Sequence, residues 1–248
     1  MVYPSSPAEG TQGKMMSMAV LLLFDIDNTL LYSGGAGGLA LNLAFAELFG
    51  IEDGFAGMDF AGRIDVSIFR EAADRHHLEG DFAALLARFK EAYHRYLEAT
   101  LPRAQAEGRG RVLPGVRELL AAISGRPEAV PGVATGNFRQ GAMMKLSHYG
   151  LDAYLRDGAY GDDAEERAGL VAIAIQRLAR QAPDDGHQVY IIGDTPLDVL
   201  AAKANGALAV AVATGRYGEA ELRACGADLV MPDLTRWRDL LPRLLGDS

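Results

Sequence analysis

Short apolar runs rich in β-branched and aliphatic residues alternate along the chain with longer stretches of helical period. That alternation predicts a parallel sheet flanked by helices. The runs Ala19 to Asp25, Val130 to Thr135, Val189 to Asp194, Ala207 to Ala213 and Asp228 to Met231 are the predicted core strands. Each of the first three closes on a polar residue followed by a Gly, Thr or Asn turn. Asp25, Thr135 and Asp194 are therefore expected together at the carboxyl edge of the sheet, where open α/β sheets take their ligands.

Between Ser33 and Arg111 the alternation stops. Gly38 to Phe49, Val66 to His76 and Phe82 to Thr100 read instead as amphipathic helices, an all-helical insert with glycine-rich linkers at 33–38 and 108–111. Beyond the second linker, Pro114 opens another helix from Gly115 to Ile123. The predicted fold class is α/β: a doubly wound parallel-sheet core formed by residues 18–33 and 111–248, with a smaller helical cap at 34–110 that moves on its two linkers. Residues 1–17 lack the basic-then-apolar order of a secretion signal and are read as a mobile tail.

Composition narrows the function more than the fold. A net charge of −9 without any block of lysines would repel nucleic acid, while a small phosphate ester needs only a local positive pocket. Cys225 is the sole cysteine, which excludes an intrachain disulfide and a cysteine zinc cluster and suits a reducing, cytoplasmic setting. The longest apolar stretch, Met18 to Phe24, is far too short to span a bilayer, so no membrane partner is expected.

The chemistry is concentrated in two acidic segments. Leu21-Leu22-Leu23-Phe24-Asp25-Ile26-Asp27-Asn28-Thr29-Leu30 sets two carboxylates two residues apart at the end of an apolar strand, where extended geometry aims both to one side. Two ionised carboxylates so close repel each other unless a cation lies between them. Val189 to Asp198 repeats the design of apolar strand then acid, so that Asp25, Asp27, Asp194 and Asp198 are expected to converge. Oxygen ligands with no histidine or cysteine nearby select a hard divalent cation such as Mg²⁺.

These motifs resemble those of the haloacid dehalogenase superfamily: Asp25-Ile26-Asp27-Asn28-Thr29 is similar to its DxDxT phosphatase motif, and Gly193-Asp194-Thr195-Pro196-Leu197-Asp198 to its GDxxxD motif. The resemblance runs from about Met18 onward. It implies that Asp25 is a nucleophile, that Asp27 is a general acid and base, and that Thr135 hydrogen-bonds the transferring phosphoryl group. It further implies that Asp25, the backbone carbonyl of Asp27, Asp194 and Asp198 serve a Mg²⁺ site, and that Thr29, Gly136 and Asn137 lie at the substrate. A basic residue, usually lysine, is expected between Thr135 and the second acidic segment. The one lysine there, Lys145, follows Thr135 too soon, and Arg167, in the first turn of a predicted helix, is the better candidate. Ala61-Gly62-Arg63-Ile64-Asp65 resembles a cap segment of phosphoglycolate-phosphatase-like and phosphoglucomutase-like members, so Arg63 is expected to meet a second anionic group of the substrate or to form a cap-to-core salt bridge.

The implied activity is Mg²⁺-dependent hydrolysis of a small organic phosphomonoester, phosphoglycolate or a sugar phosphate, by a monomer or homodimer. Haloalkanoic acid dehalogenation needs neither the proton donor Asp27 nor a metal, and phosphonate cleavage needs a cap lysine, for which only Lys90 is present. A phosphomutase sharing the core residues and a non-catalytic phosphate-binding regulator are the rivals. His76, His77, His94, His148 and His187 are assigned to solvated helix faces, and Cys225 to core packing.

Overall fold

Ala19–Phe24 has no polar position to offer to water, and it forms β1, the fully buried strand at the centre of the sheet. The computed structural model describes residues 18–182 and 186–246; the tail read into residues 1–17 lies outside the described residues. After β1 come β2 (Leu31–Tyr32), α1 (Ala36–Phe49), α2 (Asp65–Arg75), α3 (Phe82–Ala106), β3 (Arg111–Val112) and α4 (Val116–Ser124). Then follow β4 (Ala129–Ala134), α5 (Arg139–His148), β5 (Gly158–Ala159), α6 (Arg167–Ala179), β6 (His187–Gly193), α7 (Pro196–Ala204), β7 (Leu208–Val212), α8 (Glu219–Ala224), β8 (Leu229–Met231) and α9 (Trp237–Leu245).

The main sheet runs β5-β4-β1-β6-β7-β8 with every neighbouring pair parallel. From β1 the chain winds to one edge through β4 and β5, then crosses back to build the other half. The reversal leaves the carboxyl ends of β1, β4 and β6 around one crevice. Along β1 the side chains alternate between two apolar layers: Val20, Leu22 and Phe24 on one face, Leu21 and Leu23 on the other. The first layer continues into the helical insert through Phe45, Phe55, Phe69 and Phe89, with the Phe69 and Phe89 rings stacked 4.4 Å apart. A two-stranded antiparallel ribbon, Leu31 opposite Val112 and Tyr32 opposite Arg111, clamps together the two chain crossings that lead into and out of the insert. Among the described residues, no helix is long and apolar enough to cross a membrane.

Two local differences from the expected elements have simple causes. α3 continues past Thr100 and through Pro102 to Ala106 because Leu101 and Ala104 are buried and their packing outweighs the weak propensity of the last turn. β5 is only two residues long and has no pattern to read.

Candidate active site

β1 hands Asp25 to the crevice, and the Asp25 N–H donates to Ile192 O at 2.9 Å, which ties the turn to β6. The next residues curl back on themselves, with Leu30 N–H bonded to Ile26 O at 2.9 Å and Asn28 at positive φ, leaving Asp25 buried and the Asp27 side chain 34% exposed. Asp194 ends β6. Thr195 then caps α7 in a capping box, its N–H and hydroxyl donating to Asp198 Oδ2 at 3.1 and 2.7 Å. Across the crevice Arg167, the first residue of α6, donates from Nη2 to Asp198 Oδ1 at 2.5 Å and to Ala134 O at 3.0 Å, and lies 3.2 Å from Asp25 Oδ1. Its Nε and Nη1 are buried without a hydrogen-bond partner among the described residues.

Carboxylate oxygens of Asp25, Asp194 and Asp198 lie within 4.8 Å of one another, all buried. Burial first, and then the neighbouring carboxylates Asp198 and Asp25, push the Asp194 pKa from 3.8 up to about 8. Burial also raises Asp25 to about 6; Arg167 opposes it, while Asp198 and Asp27 add to it. For Arg167, burial lowers the pKa, but Asp198 and Asp25 outweigh it and drive the value up, so the guanidinium is charged. Crowded acids of this kind are relieved by a cation, and the cluster can hold a metal ion. Within it, Asp198 has both oxygens taken by protein donors, Arg167 on one and Thr195 on the other, and so anchors its neighbours.

Thr135, fully buried at the end of β4, contributes a hydrogen bond to Asp25 that pulls its pKa down. The Thr135 Oγ1 accepts from Asn137 Nδ2 at 2.8 Å, and the same amide donates to Asp27 Oδ2 at 2.9 Å. Gly136 is dictated by close approach, since a Cβ there would overlap the carbonyl of Arg63 in the insert. That contact is one of several that seat the insert on this loop: Asp65 N–H donates to Gly136 O at 2.8 Å, and Phe138 N–H donates to the Asp65 carboxylate at 2.9 Å. Burial raises Asp65 to about 7, against the pull of Lys145 and of that N–H. At the outer rim Arg216 grips Asp59 with two bonds of 2.9 and 2.8 Å. Together the insert and the sheet edge enclose a cavity of about 610 Å³ lined by Asp25, Asp27, Asn137, Arg167 and Asp194 below and by Leu41, Met58, Phe60 and Arg63 above.

Asp25, Asp27, Thr135, Arg167, Asp194 and Asp198 thus converge, as do Gly136 and Asn137. Thr29 is different: it is buried below the cavity, and its hydroxyl donates to Asp194 Oδ1 at 3.4 Å, so it steadies an acid instead of lining the substrate space. Arg63 lines the cavity but pairs within the insert, 2.7 Å from Glu71 and 3.2 Å from Asp59 O, and makes no cap-to-core bridge among the described residues. Lys145, passed over because of its position in the chain, is buried with its ammonium 2.5 Å from Asp27 Oδ2. The signal for it was present, because Lys145 shares a helical face with the buried Ala142 and Leu146 and is the one charge on that face. His94 is also buried, against its neighbour Tyr93 and against Phe138 from the loop after β4, and burial lowers its pKa to about 4; the Phe138 ring, brought from outside its own helix, is why it does not belong to the solvated surface.

The same fold recurs among solved structures. A hydrolase from Pseudomonas syringae is 23% identical with a TM-score of 0.63, covering 91% of this chain and 99% of its own. A protein named as a candidate β-phosphoglucomutase from Bacteroides vulgatus gives 19% and 0.65 over 93% of this chain and 91% of its own. A predicted phosphoglycolate phosphatase from Haemophilus somnus gives 17% and 0.58 over 92% and 99%. At these identities the likeness is one of fold. Among curated proteins no significant match is found. The family model of the haloacid dehalogenase-like hydrolases, however, matches residues 20–206, which take in both acidic segments, the Thr135 loop and Arg167, and the chain belongs to that family.

Proposed function

We propose that this hydrolase is a Mg²⁺-dependent phosphatase that cleaves a small organic phosphomonoester through an aspartyl-phosphate on Asp25, with the helical insert as its cap. The observation that carries the reading is Arg167: a buried guanidinium locked beside Asp25, with two N–H-bearing nitrogens that no acceptor among the described residues satisfies. A buried, charged donor pair next to a buried carboxylate is suited to an anion that Asp25 itself attacks.

In this reading an Asp25 oxygen attacks phosphorus in line, and the bond from phosphorus to the ester oxygen breaks. Asp27, two residues on and facing the cavity, gives its proton to the departing alkoxide. A water then attacks the aspartyl-phosphate while Asp27 takes the water's proton, which frees inorganic phosphate and restores both acids. Thr135 and Arg167 bind the phosphoryl oxygens and hold them for in-line attack, and Asn137 fixes the Thr135 hydroxyl. Asp25 and Asp194 would hold the Mg²⁺, whose oxygen-only donor set they match, and the ion when bound supplies positive charge that lets one anion approach another.

The cavity of about 610 Å³, with Leu41, Met58 and Phe60 on its roof, is roomy for a two-carbon phosphoglycolate and favours a sugar phosphate of greater bulk. A panel of phosphomonoesters, assayed with Mg²⁺ and with chelator, tests this: sugar phosphates should give the highest kcat/KM and lose turnover on chelation. Preference for phosphoglycolate would reverse the substrate assignment, and undiminished turnover in chelator would remove the metal from the mechanism. Phosphomutase action is a second reading, favoured by the seating of Gly62 against Thr195 and of Asp65 on the Thr135 loop, which shields the site from water. An isomerised sugar phosphate in place of free phosphate would select it.

A further inference from the structure

One buried charge has no task in the mechanism just proposed. Lys145 reaches the site from α5 and is 3% exposed, although a lysine so placed must give up its hydration. Its ammonium donates to Asp27 Oδ2 and to Asn137 Oδ1, each at 2.5 Å. Asn137 in turn donates from Nδ2 to the same Asp27 oxygen at 2.9 Å. The three side chains close a ring on Asp27 Oδ2. Oδ1 receives no protein donor among the described residues, and Asp27 as a whole faces the cavity.

The walls around the ammonium keep it there. A Cβ on Gly37 would lie 3.6 Å from Lys145 Nζ and 4.0 Å from the Tyr93 hydroxyl, so the backbone of α1 passes close over the ammonium and roofs it. Asp65 is the second carboxylate whose charge Lys145 feels. Gly141, on the same helix as Lys145, makes room for Tyr93, since a Cβ there would stand 3.0 Å from the ring. The lysine is thus enclosed by the core and the insert together, and its strongest contacts are to Asp27 and Asn137.

We propose that Lys145 is a positioning residue for Asp27: with Asn137 it clamps Oδ2, so that the proton given to the leaving alkoxide and later taken from water is handled at Oδ1. The proposal rests on the reading of Asp27 as general acid and base. It makes Lys145 a determinant of proton transfer that does not itself touch the phosphoryl group, and it predicts a signature that a purely structural lysine would not produce. A misplaced general acid matters most where the leaving group is a poor one and least where it departs without a proton.

The test compares Lys145→Met with the unmodified enzyme under Mg²⁺, using rapid-quench measurement of alcohol release from p-nitrophenyl phosphate and from an alkyl phosphate. The expected result is a first-turnover rate within about threefold for the aryl ester and lowered on the order of 100-fold for the alkyl ester, with KM little changed. In Asp27→Asn/Lys145→Met the second substitution should add little to the first, because the lysine acts through the carboxylate. Lys145→Gln, which keeps a polar head, serves as the variant if methionine prevents folding, and it should show a smaller loss of the same pattern. Equal losses for both esters, a rise confined to KM, or full additivity with Asp27→Asn would overturn the proposal. If Asp27→Asn alone spares alkyl ester cleavage, the failure lies in the reading of Asp27, and the proposal falls with it.

Discussion

Replacing Asp198 by alanine removes the counter-charge to which Arg167 is most closely bound. Both side chains are nearly inaccessible, 6% and 3% exposed, and their atoms stand 2.5 Å apart. Removing one member of a buried ion pair costs about 3–5 kcal/mol, because the other is left buried and under-compensated. The capping box adds to the loss, since the Thr195 N–H gives up its acceptor, worth about 1 kcal/mol. Two terms oppose it: Arg167 keeps its 3.2 Å contact with Asp25, and Asp25 and Asp194 each lose a repelling neighbour. The balance puts the net destabilisation at about 3 kcal/mol. Urea unfolding followed by circular dichroism, in chelator at neutral pH, measures it directly, with an unchanged slope showing that the unfolding reaction is the same. Arg167→Met and the double variant complete a cycle. The pair should couple by more than about 1.5 kcal/mol, the double variant being more stable than the sum of the single losses implies. A loss below about 1 kcal/mol for Asp198→Ala, or simple additivity, would refute the view that this pair is the electrostatic keystone of the site.

Stability should also depend on pH and metal. Asp25, Asp65 and Asp194 have folded-state pKa values raised from 3.8 to about 6, 7 and 8, so the fold binds their protons more tightly than the unfolded chain does. Their stabilisation is full below the unfolded pKa near 3.8 and is lost as pH rises through about 6 to 8; the metal-free melting temperature should therefore fall between about pH 5 and pH 8. Added Mg²⁺ should flatten that fall by favouring the ionised acids; a rise with pH in chelator, or no effect of Mg²⁺, would count against the cluster as described. Gly62→Ala places a side chain at φ 69 against the Thr195 hydroxyl and 3.1 Å from Leu197 Cβ. It should cut kcat/KM by about 10- to 100-fold while lowering the melting temperature only by a few degrees, and unimpaired turnover would show that close seating of the insert is not needed.

What could be read in the chain follows from how local each signal is. β1 and the second half of β6 are apolar runs followed at once by acids, so their position at the sheet centre and the convergence of Asp25, Asp27 and Asp194 were legible from periodicity and spacing. Arg167 was legible from its place at a helix start, and α6 begins there, although Glu166 makes no side-chain cap and the acids before it serve a turn in which Asp163 holds Arg177. Lys145 was passed over because spacing from Thr135 was weighed and helical face was not; one turn of α5 turns the residue back toward Asp27. The hydrogen bond from Thr29 to Asp194 was not legible, because a motif gives membership in a site and not the direction of a hydroxyl. The burial of His94 depends on Phe138, far away in the chain, to which no window of sequence gives access, whereas Glu71, the partner of Arg63, lies close by in the chain and is fixed by how the loop before α2 folds.

The most direct test of the central claim is to trap the covalent intermediate. The enzyme with Mg²⁺ and a phosphomonoester is quenched in acid within the first turnover, digested, and its peptides are weighed by mass spectrometry. One phosphoryl group should be found, on the peptide carrying Asp25 and lost on treatment with hydroxylamine, and an Asp25→Asn enzyme should form none and turn over about 10⁴-fold more slowly or worse. Steady turnover with no phosphorylated peptide, or with the phosphoryl group on a residue other than Asp25, would contradict it.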